Sequence, residues 1–369
     1  MTPLIKWPGG KSGEIRQVQA LIPPHKRYVE PFLGGGAIFF HLQPERAAVN
    51  DISADLIGFY RLVRAQDENL RRWLMLYDAG FQGVLRAGED ESEGLTALFA
   101  AALAGEDPSA LADEVARRVV VRLPGAVLEE LVPDPARFEA RLARALADKA
   151  RRTAAHHRKR PFSPEDLREN LLTGLTGGFY LYFRSVFNDL SLGRLHRDEA
   201  YRAANFYFIR EYCYGSMFRY NAAGEFNIPY GGRSYNRKDF RAKIDRIFSR
   251  ETAAVLAGAD LSCGDFEPFL QGLDLTEEDF LFLDPPYDTD FSDYEGRDFA
   301  QADQRRLAGF LRHTRANFLL VIKNTDFIRE LYEKEFVIRP FEKKYTYNMR
   351  RRNDRRVEHL IISNFLPKE

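Results

Sequence analysis

Residues 279–287 read Asp279-Phe-Leu-Phe-Leu-Asp-Pro-Pro-Tyr287. Phe280 to Leu283 is a short apolar run, the pattern of a strand buried on both faces. Asp284-Pro285-Pro286-Tyr287 must end that strand, because proline has no N–H to give to a sheet ladder. The expectation is a rigid loop at a strand's carboxyl end, where open α/β sheets bind ligands. The loop offers one carboxylate, backbone carbonyls that no ladder uses and one aromatic face. An exocyclic amine on a planar base needs two acceptors for its N–H groups and a ring to stack on. The plainer alternative is an ordinary turn after a core strand.

Toward the N-terminus, Tyr28-Val-Glu-Pro-Phe-Leu-Gly-Gly-Gly36 reads as a strand running into a glycine turn, with a helix expected over 37–42. Such a turn lets a ligand lie against the backbone at a helix N-terminus. Its spacing is not Gly-x-Gly-x-x-Gly, which disfavours a nicotinamide cofactor. Ala47–Asp51 reads as a second short strand ending in an acid. Asp51 is placed to accept from a ribose hydroxyl pair or to cap a helix starting near Ser53; the glycine turn one strand earlier favours the ribose. Gly9, Gly10 and Gly13 also permit close backbone approach. Gly-Gly-Lys-Ser is not a P-loop, since no glycine stands five residues before Gly10. Trp7 is either a core aromatic or the wall of a cofactor pocket. Asp265 and Phe266 follow a short apolar stretch and offer an acceptor beside a ring, which suits an adenine.

The 369 residues are enough for two domains, and 45% hydrophobic with 29% charged content is ordinary soluble composition. No apolar run has the length of a membrane span, and the N-terminus lacks a signal-peptide pattern. Cys213 and Cys263 are too few and too far apart for a disulfide framework or a zinc site. They fit a reducing, cytoplasmic compartment. The formal net charge is zero, so binding to nucleic acid would rest on local basic patches.

Residues 55–77 read as a helix, and 88–160 as a helical insertion rich in Ala, Glu, Arg and Leu, punctuated by Pro108, Pro124, Pro133 and Pro135. The insertion ends in a basic run, 149–160, which reads as a solvated face or, functionally, as a phosphate contact. Residues 218–233 predict a β-hairpin around the turn Asn221–Gly224. Arg219, Asn221, Asn227, Tyr230 and Arg233 stand on its flanks, and Arg and Asn can read base edges in a major groove. The alternative is a purely structural hairpin. A helix over 299–314, a strand over 317–324 and a terminal antiparallel pair, 335–347 with 357–364, complete the pattern. Between the last two strands, Arg351 and Arg352 sit in a basic turn suited to phosphates.

Taken in order, these segments resemble the Dam-like, D12 class of DNA adenine-N6 methyltransferases, with the cofactor loop before the recognition region and the catalytic loop last. Lys6-Trp7 to Lys11 resembles that family's N-terminal cofactor element, including Gly9 and Gly10. Glu30-Pro31-Phe32-Leu-Gly34-Gly-Gly36 resembles its S-adenosylmethionine loop, and Asn50-Asp51 its ribose-binding acid. Gly264-Asp265-Phe266 resembles its contact to the cofactor adenine, 218–232 its recognition hairpin, and Asp284-Pro285-Pro286-Tyr287 its catalytic tetrapeptide, with Asp284 also facing the cofactor. The resemblance implies a Rossmann-like α/β methyltransferase sheet (1–60 and 250–369) with a mainly helical insertion and DNA-recognition domain (61–249). It implies an adenine-specific DNA methyltransferase acting on duplex DNA with S-adenosylmethionine, needing no metal, and a companion restriction endonuclease as a partner. A site such as GATC is implied by resemblance, although Ala222 and Ala223 at the hairpin tip carry no base-reading group. An RNA adenine methyltransferase, a cytosine-N4 enzyme and a non-catalytic DNA-binding partner remain as alternatives. Residues 78–170 have no counterpart in the resemblance.

Overall fold

A computed structural model describes residues 1–8, 15–286, 299–344 and 356–366. The chain divides into two compact units, one built from Met1–Ala65, Phe218–Tyr220 and Ser249–Glu369, the other from Gln66–Met217 and Asn221–Phe248.

The first unit holds a seven-stranded sheet of β1 (Arg27–Glu30), β2 (Ala47–Asp51), β3 (Ala259–Cys263), β4 (Asp279–Leu283), β5 (Asn317–Lys323), β6 (Val337–Lys344) and β7 (Arg356–Ser363), in the order β3-β2-β1-β4-β5-β7-β6. The first five are mutually parallel, and β7 runs antiparallel to both β5 and β6. Every residue of β4 is buried, as its unbroken apolar run requires. Asp279 opens that strand in the core because Arg27 donates two bonds to its carboxylate, at 2.8 and 3.0 Å. Leu281, Leu283, Val29, Phe318 and Leu320 pack with Phe266 and Leu307 from flanking helices into one cluster. Truncating such a side chain to alanine would cost about 2–5 kcal/mol. The strand order reverses between β1 and β4. Ligands of open α/β sheets bind outside the carboxyl ends of strands at such a switch point, and Glu30 and Asp284 stand at those two ends.

The second unit is helical. Glu68–Asp90, Ser92–Ala104, Ser109–Val121, Pro135–Lys159, Pro164–Ser191 and Glu199–Tyr212 are its long helices. The single helix expected over 55–77 is two, Ala54–Arg64 and Glu68–Asp90. Gln66 takes a left-handed φ of 50°, and the Asp67 carboxylate accepts from the Leu70 amide at 2.7 Å, starting a new helix.

The expected β-hairpin is also revised. Among the described residues, 218–233 contains no strand, only single-residue bridges such as Cys213 with Tyr230. The turn itself is there, with the Gly224 amide bonded to the Asn221 carbonyl at 2.9 Å. The hairpin's second arm finds its partners on helix Pro164–Ser191 instead. The Asn188 side chain accepts from the Phe226 amide at 2.8 Å and donates to the Phe226 carbonyl at 3.1 Å. Tyr180 and Arg184 both donate to the Ile228 carbonyl. Side chains of a helix thus replace a strand ladder.

Candidate active site

Three neighbouring strand ends are bonded into one frame. The Asp51 carboxylate, at the end of β2, accepts from the Gly34 amide at 2.8 Å and from the Ser53 amide at 3.0 Å. Its neighbour Asn50 donates from Nδ2 to the carbonyls of Pro31, after β1, and Gly264, after β3, at 3.1 and 2.9 Å. Asn50 Oδ1 is buried without a bonding partner. Gly34 and Gly36 have φ of 49° and 64°, a conformation that glycine adopts without strain. A Cβ at Gly34 would lie 2.7 Å from Cδ1 of Trp7, whose ring also meets Phe218 edge-on at 4.8 Å. A Cβ at Gly264 would meet nothing within 4 Å.

The frame gathers acids. Glu30 is 2% exposed, and burial pushes its carboxyl well above the ordinary range. Tyr28 donates to it at 2.9 Å, while the nearby Asp284 and Asp51 raise it further. Burial likewise raises Asp51, against the pull of its amide donors. Asp265 behaves differently. Burial would raise it, but Arg306 donates to both its oxygens, at 2.6 and 3.3 Å, and holds it below its ordinary value. Arg306 also bonds Glu267 and Asp303, and its guanidinium lies 4.9 Å from the Phe266 ring centre. Phe266 is buried, packed on Phe32 at 5.3 Å.

Asp284 is half-buried where β4 ends. The next loop is anchored by Gln304, fully buried on helix Gln301–His313, whose Nε2 donates to the Pro286 carbonyl at 3.3 Å. Gln304 Oε1 has no bonding partner. Arg306 and Gln304 were not candidates from the sequence, and Asn50 entered only as part of the Asn50-Asp51 motif, with no role of its own. Asn50 carried a signal, standing beside Asp51; Gln304 and Arg306 are polar residues in a helix and carried none.

Of the recognition candidates, Arg219 is exposed and belongs to the sheet unit. In the helical unit, the Asn221 side chain closes its own turn, accepting from the Ala223 and Glu225 amides at 3.0 Å each. Asn227 is half-buried. The Tyr230 hydroxyl donates to Asn236 at 2.6 Å, and Arg233 pairs with Asp166 and Glu169. Gly9, Gly10, Lys11, Tyr287, Arg351 and Arg352 lie outside the described residues. Among the described residues no group of acids, histidines and cysteines is arranged to hold a metal ion, and no helix is long and apolar enough to cross a membrane.

The family described as D12 class N6 adenine-specific DNA methyltransferase matches residues 7–83 and 144–349. The chain is 25% identical to the Type II methyltransferase M.CviBI of Paramecium bursaria Chlorella virus NC1A, over 99% of this chain and 100% of that protein. It is 27% identical to the Type II methyltransferase M.MjaIII of Methanocaldococcus jannaschii, over 90% of this chain and 88% of that one. It is 22% identical to a DNA adenine methylase of Vibrio cholerae, over 84% and 76%.

Proposed function

Because the chain belongs to the D12 class N6 adenine-specific DNA methyltransferase family, we propose that its strand-end site binds S-adenosylmethionine and presents a flipped adenine of duplex DNA to Asp284. The activity is site-specific methylation of adenine in DNA. One observation carries the assignment of the site: the glycine turn after β1, Asp51 of β2 and Asp284 after β4 converge at the sheet's switch point.

The residues suit that cofactor. Left-handed glycines keep side chains off the turn, and the space beside Gly264 is open. Backbone amides hold the Asp51 carboxylate, whose four lone-pair positions they do not exhaust, so it can still accept from a ribose hydroxyl. Arg306 orients Asp265 toward an adenine amino group, and Trp7 walls the turn. When bound, S-adenosylmethionine supplies a methyl group activated by its sulfonium.

The protein's own task is to prepare the amine. An aromatic amine is a poor nucleophile while its lone pair is delocalised into the ring. Asp284 and the Pro285 carbonyl, accepting its two N–H bonds, favour a pyramidal nitrogen with a localised lone pair. The bond from Gln304 to the Pro286 carbonyl fixes the backbone just beyond the Pro285 carbonyl. Catalysis is then positioning and electrostatics. A base within a duplex must be extruded to reach such a pocket; Tyr287 is assigned from the sequence as the ring it stacks on. Residues 219–233, with Arg351 and Arg352, are assigned to DNA recognition and phosphate contact. A cytoplasmic protein suits this reading, and the Type II names among its relatives support a companion restriction endonuclease as partner.

Incubation of duplex DNA with labelled S-adenosylmethionine, followed by nucleoside analysis, tests the reading. N6-methyladenine is expected. Label in N4-methylcytosine, label only on RNA, or no incorporation would each overturn it.

A further inference from the structure

The helical insertion carries a row of cations that its own acids do not neutralise. Arg137, Arg141, Arg144 and Arg152 lie within one stripe of helix Pro135–Lys159, at helical spacings of four, three and eight. Lys149 borders the same stripe. Arg137 pairs with Asp189, and Asp148 within the stripe pairs with Arg151. Among the described residues no carboxylate pairs with Arg141, Arg144 or Lys149. Arg144, Arg137 and Arg184 repel the Arg141 charge, and Arg152 and Arg233 repel that of Lys149, although Arg233 is itself paired with Asp166 and Glu169. Burial and these like charges together lower both side chains from their ordinary values. Cations held half-buried among cations are destabilising to the free protein. An anion laid across them would remove that repulsion.

Their position indicates which anion. One face of helix Pro164–Ser191 carries the recognition segment and the turn that follows it: Tyr180 and Arg184 bond Ile228, Asn188 bonds Phe226, and Thr176 bonds Asn236 beyond the segment. The adjoining face takes helix Pro135–Lys159 at close range through Gly174 and Gly178. A Cβ on Gly178 would lie 2.8 Å from the Leu142 backbone, and one on Gly174 3.0 Å from Lys149 Cβ. The cation row therefore runs beside residues 226–237, with Arg141 near Arg184 and Lys149 near Arg233. The stretch without a counterpart in the family is 84–143, narrower than the expected 78–170, because the match reaches 83 and resumes at 144; of the row, Arg137 and Arg141 lie in the unmatched stretch and Arg144, Lys149 and Arg152 in the matched one.

We propose that Arg141, Arg144, Lys149 and Arg152 form a strip that binds DNA backbone phosphates, extending the recognition segment's contact surface onto helix Pro135–Lys159. The inference rests on the assignment of residues 219–233 to DNA recognition. Arg141→Gln with Lys149→Gln removes two charges from the strip. Binding of a mixed-sequence duplex, followed by fluorescence anisotropy across a potassium chloride series, should then show a salt slope shallower by about one per residue. Arg141→Lys with Lys149→Arg keeps the charges and should keep the wild-type slope, which a packing role would not guarantee. Arg71→Gln with Arg117→Gln removes two paired surface charges elsewhere in the same unit and should leave the slope as it was.

An unchanged slope in the Gln pair, or an equal change in the Arg71 and Arg117 control, overturns the strip. Arg219→Gln distinguishes this failure from the broader one. If it weakens binding while the strip variant does not, the strip alone is wrong. If neither does, the recognition assignment fails as well. A steeper dependence for single-stranded RNA than for duplex DNA would also overturn it.

Discussion

Asp51 and Gly34, seventeen residues apart, are joined by a 2.8 Å bond from the glycine amide to the carboxylate. The end of β2 thereby fixes the conformation of the turn that follows β1. Asp51→Ala removes this bond and the proposed acceptor for the ribose together. The expected loss of S-adenosylmethionine affinity is about 1.5–3 kcal/mol, read by calorimetric titration. Unchanged affinity in a folded variant would remove Asp51 from the cofactor site. Gly34→Ala should be at least as damaging, since its Cβ would collide with Trp7 and its φ is left-handed.

Asp284 should matter to turnover far more than to binding. In the proposed role its bonds strengthen as the amine becomes pyramidal and so belong to the transition state. Asp284→Ala is expected to cut the single-turnover methylation rate by about 100-fold or more. Cofactor affinity should hold, and so should DNA affinity, which phosphates dominate. A rate within a few-fold of wild type, with both ligands saturating, would reduce the loop to an ordinary turn.

Gln304 tests whether the loop's backbone must be held. Gln304→Leu keeps the volume and removes the donor to the Pro286 carbonyl. Small displacements of reacting groups cost up to about 100-fold in rate, so kcat should fall while cofactor affinity stays. Equal losses in kcat and in thermal stability would point to a packing role instead. Gln304→Asn, too short to bridge the gap, should resemble Leu.

Glu30 sets a pH dependence of stability. Its folded-state carboxyl is raised well above 4.5 by burial. From the ordinary carboxylate range up to that higher value, the folded state holds a proton that the unfolded state has released. Stability therefore falls as pH rises through the window, by about 1.4 kcal/mol per unit, and levels off above the folded value. Glu30→Gln keeps the acceptor for Tyr28 and has nothing to ionise. Its thermal midpoint should gain more over wild type at pH 8 than at pH 5. Equal offsets at both values would contradict a raised Glu30.

Much of the sheet was legible, because its signals are local. The run 280–283 and the double proline dictated a strand and its end, and Ala47–Asp51 and the glycine turn dictated two more. The antiparallel terminal pair was also readable, as strands Val337–Lys344 and Arg356–Ser363. What escaped depends on long-range partners. Residues 218–233 have the residues of a hairpin, yet Asn188, 38 positions before Phe226, offers both the donor and the acceptor that a strand would have supplied. The helix break at Gln66 was missed because Asp67 reads equally as a helix residue and as a cap. Gln304 and Arg306 act through tertiary contacts with Pro286 and Asp265, which no spacing along the chain announces.

The replacement of a ladder by helix side chains separates support from reading. In a paired hairpin, changing one arm disturbs the other, since each is the other's scaffold. Here the arm at 226–228 is held through its own backbone by Asn188, Tyr180 and Arg184 and by the buried side chains of Phe226 and Ile228, whatever side chains the exposed tip presents. Ala222 and Ala223 can then be exchanged for larger or polar residues at little structural cost. On the proposed assignment of this segment to DNA recognition, substitutions at the tip could change the target sequence while the backbone support of 226–228 stays in place.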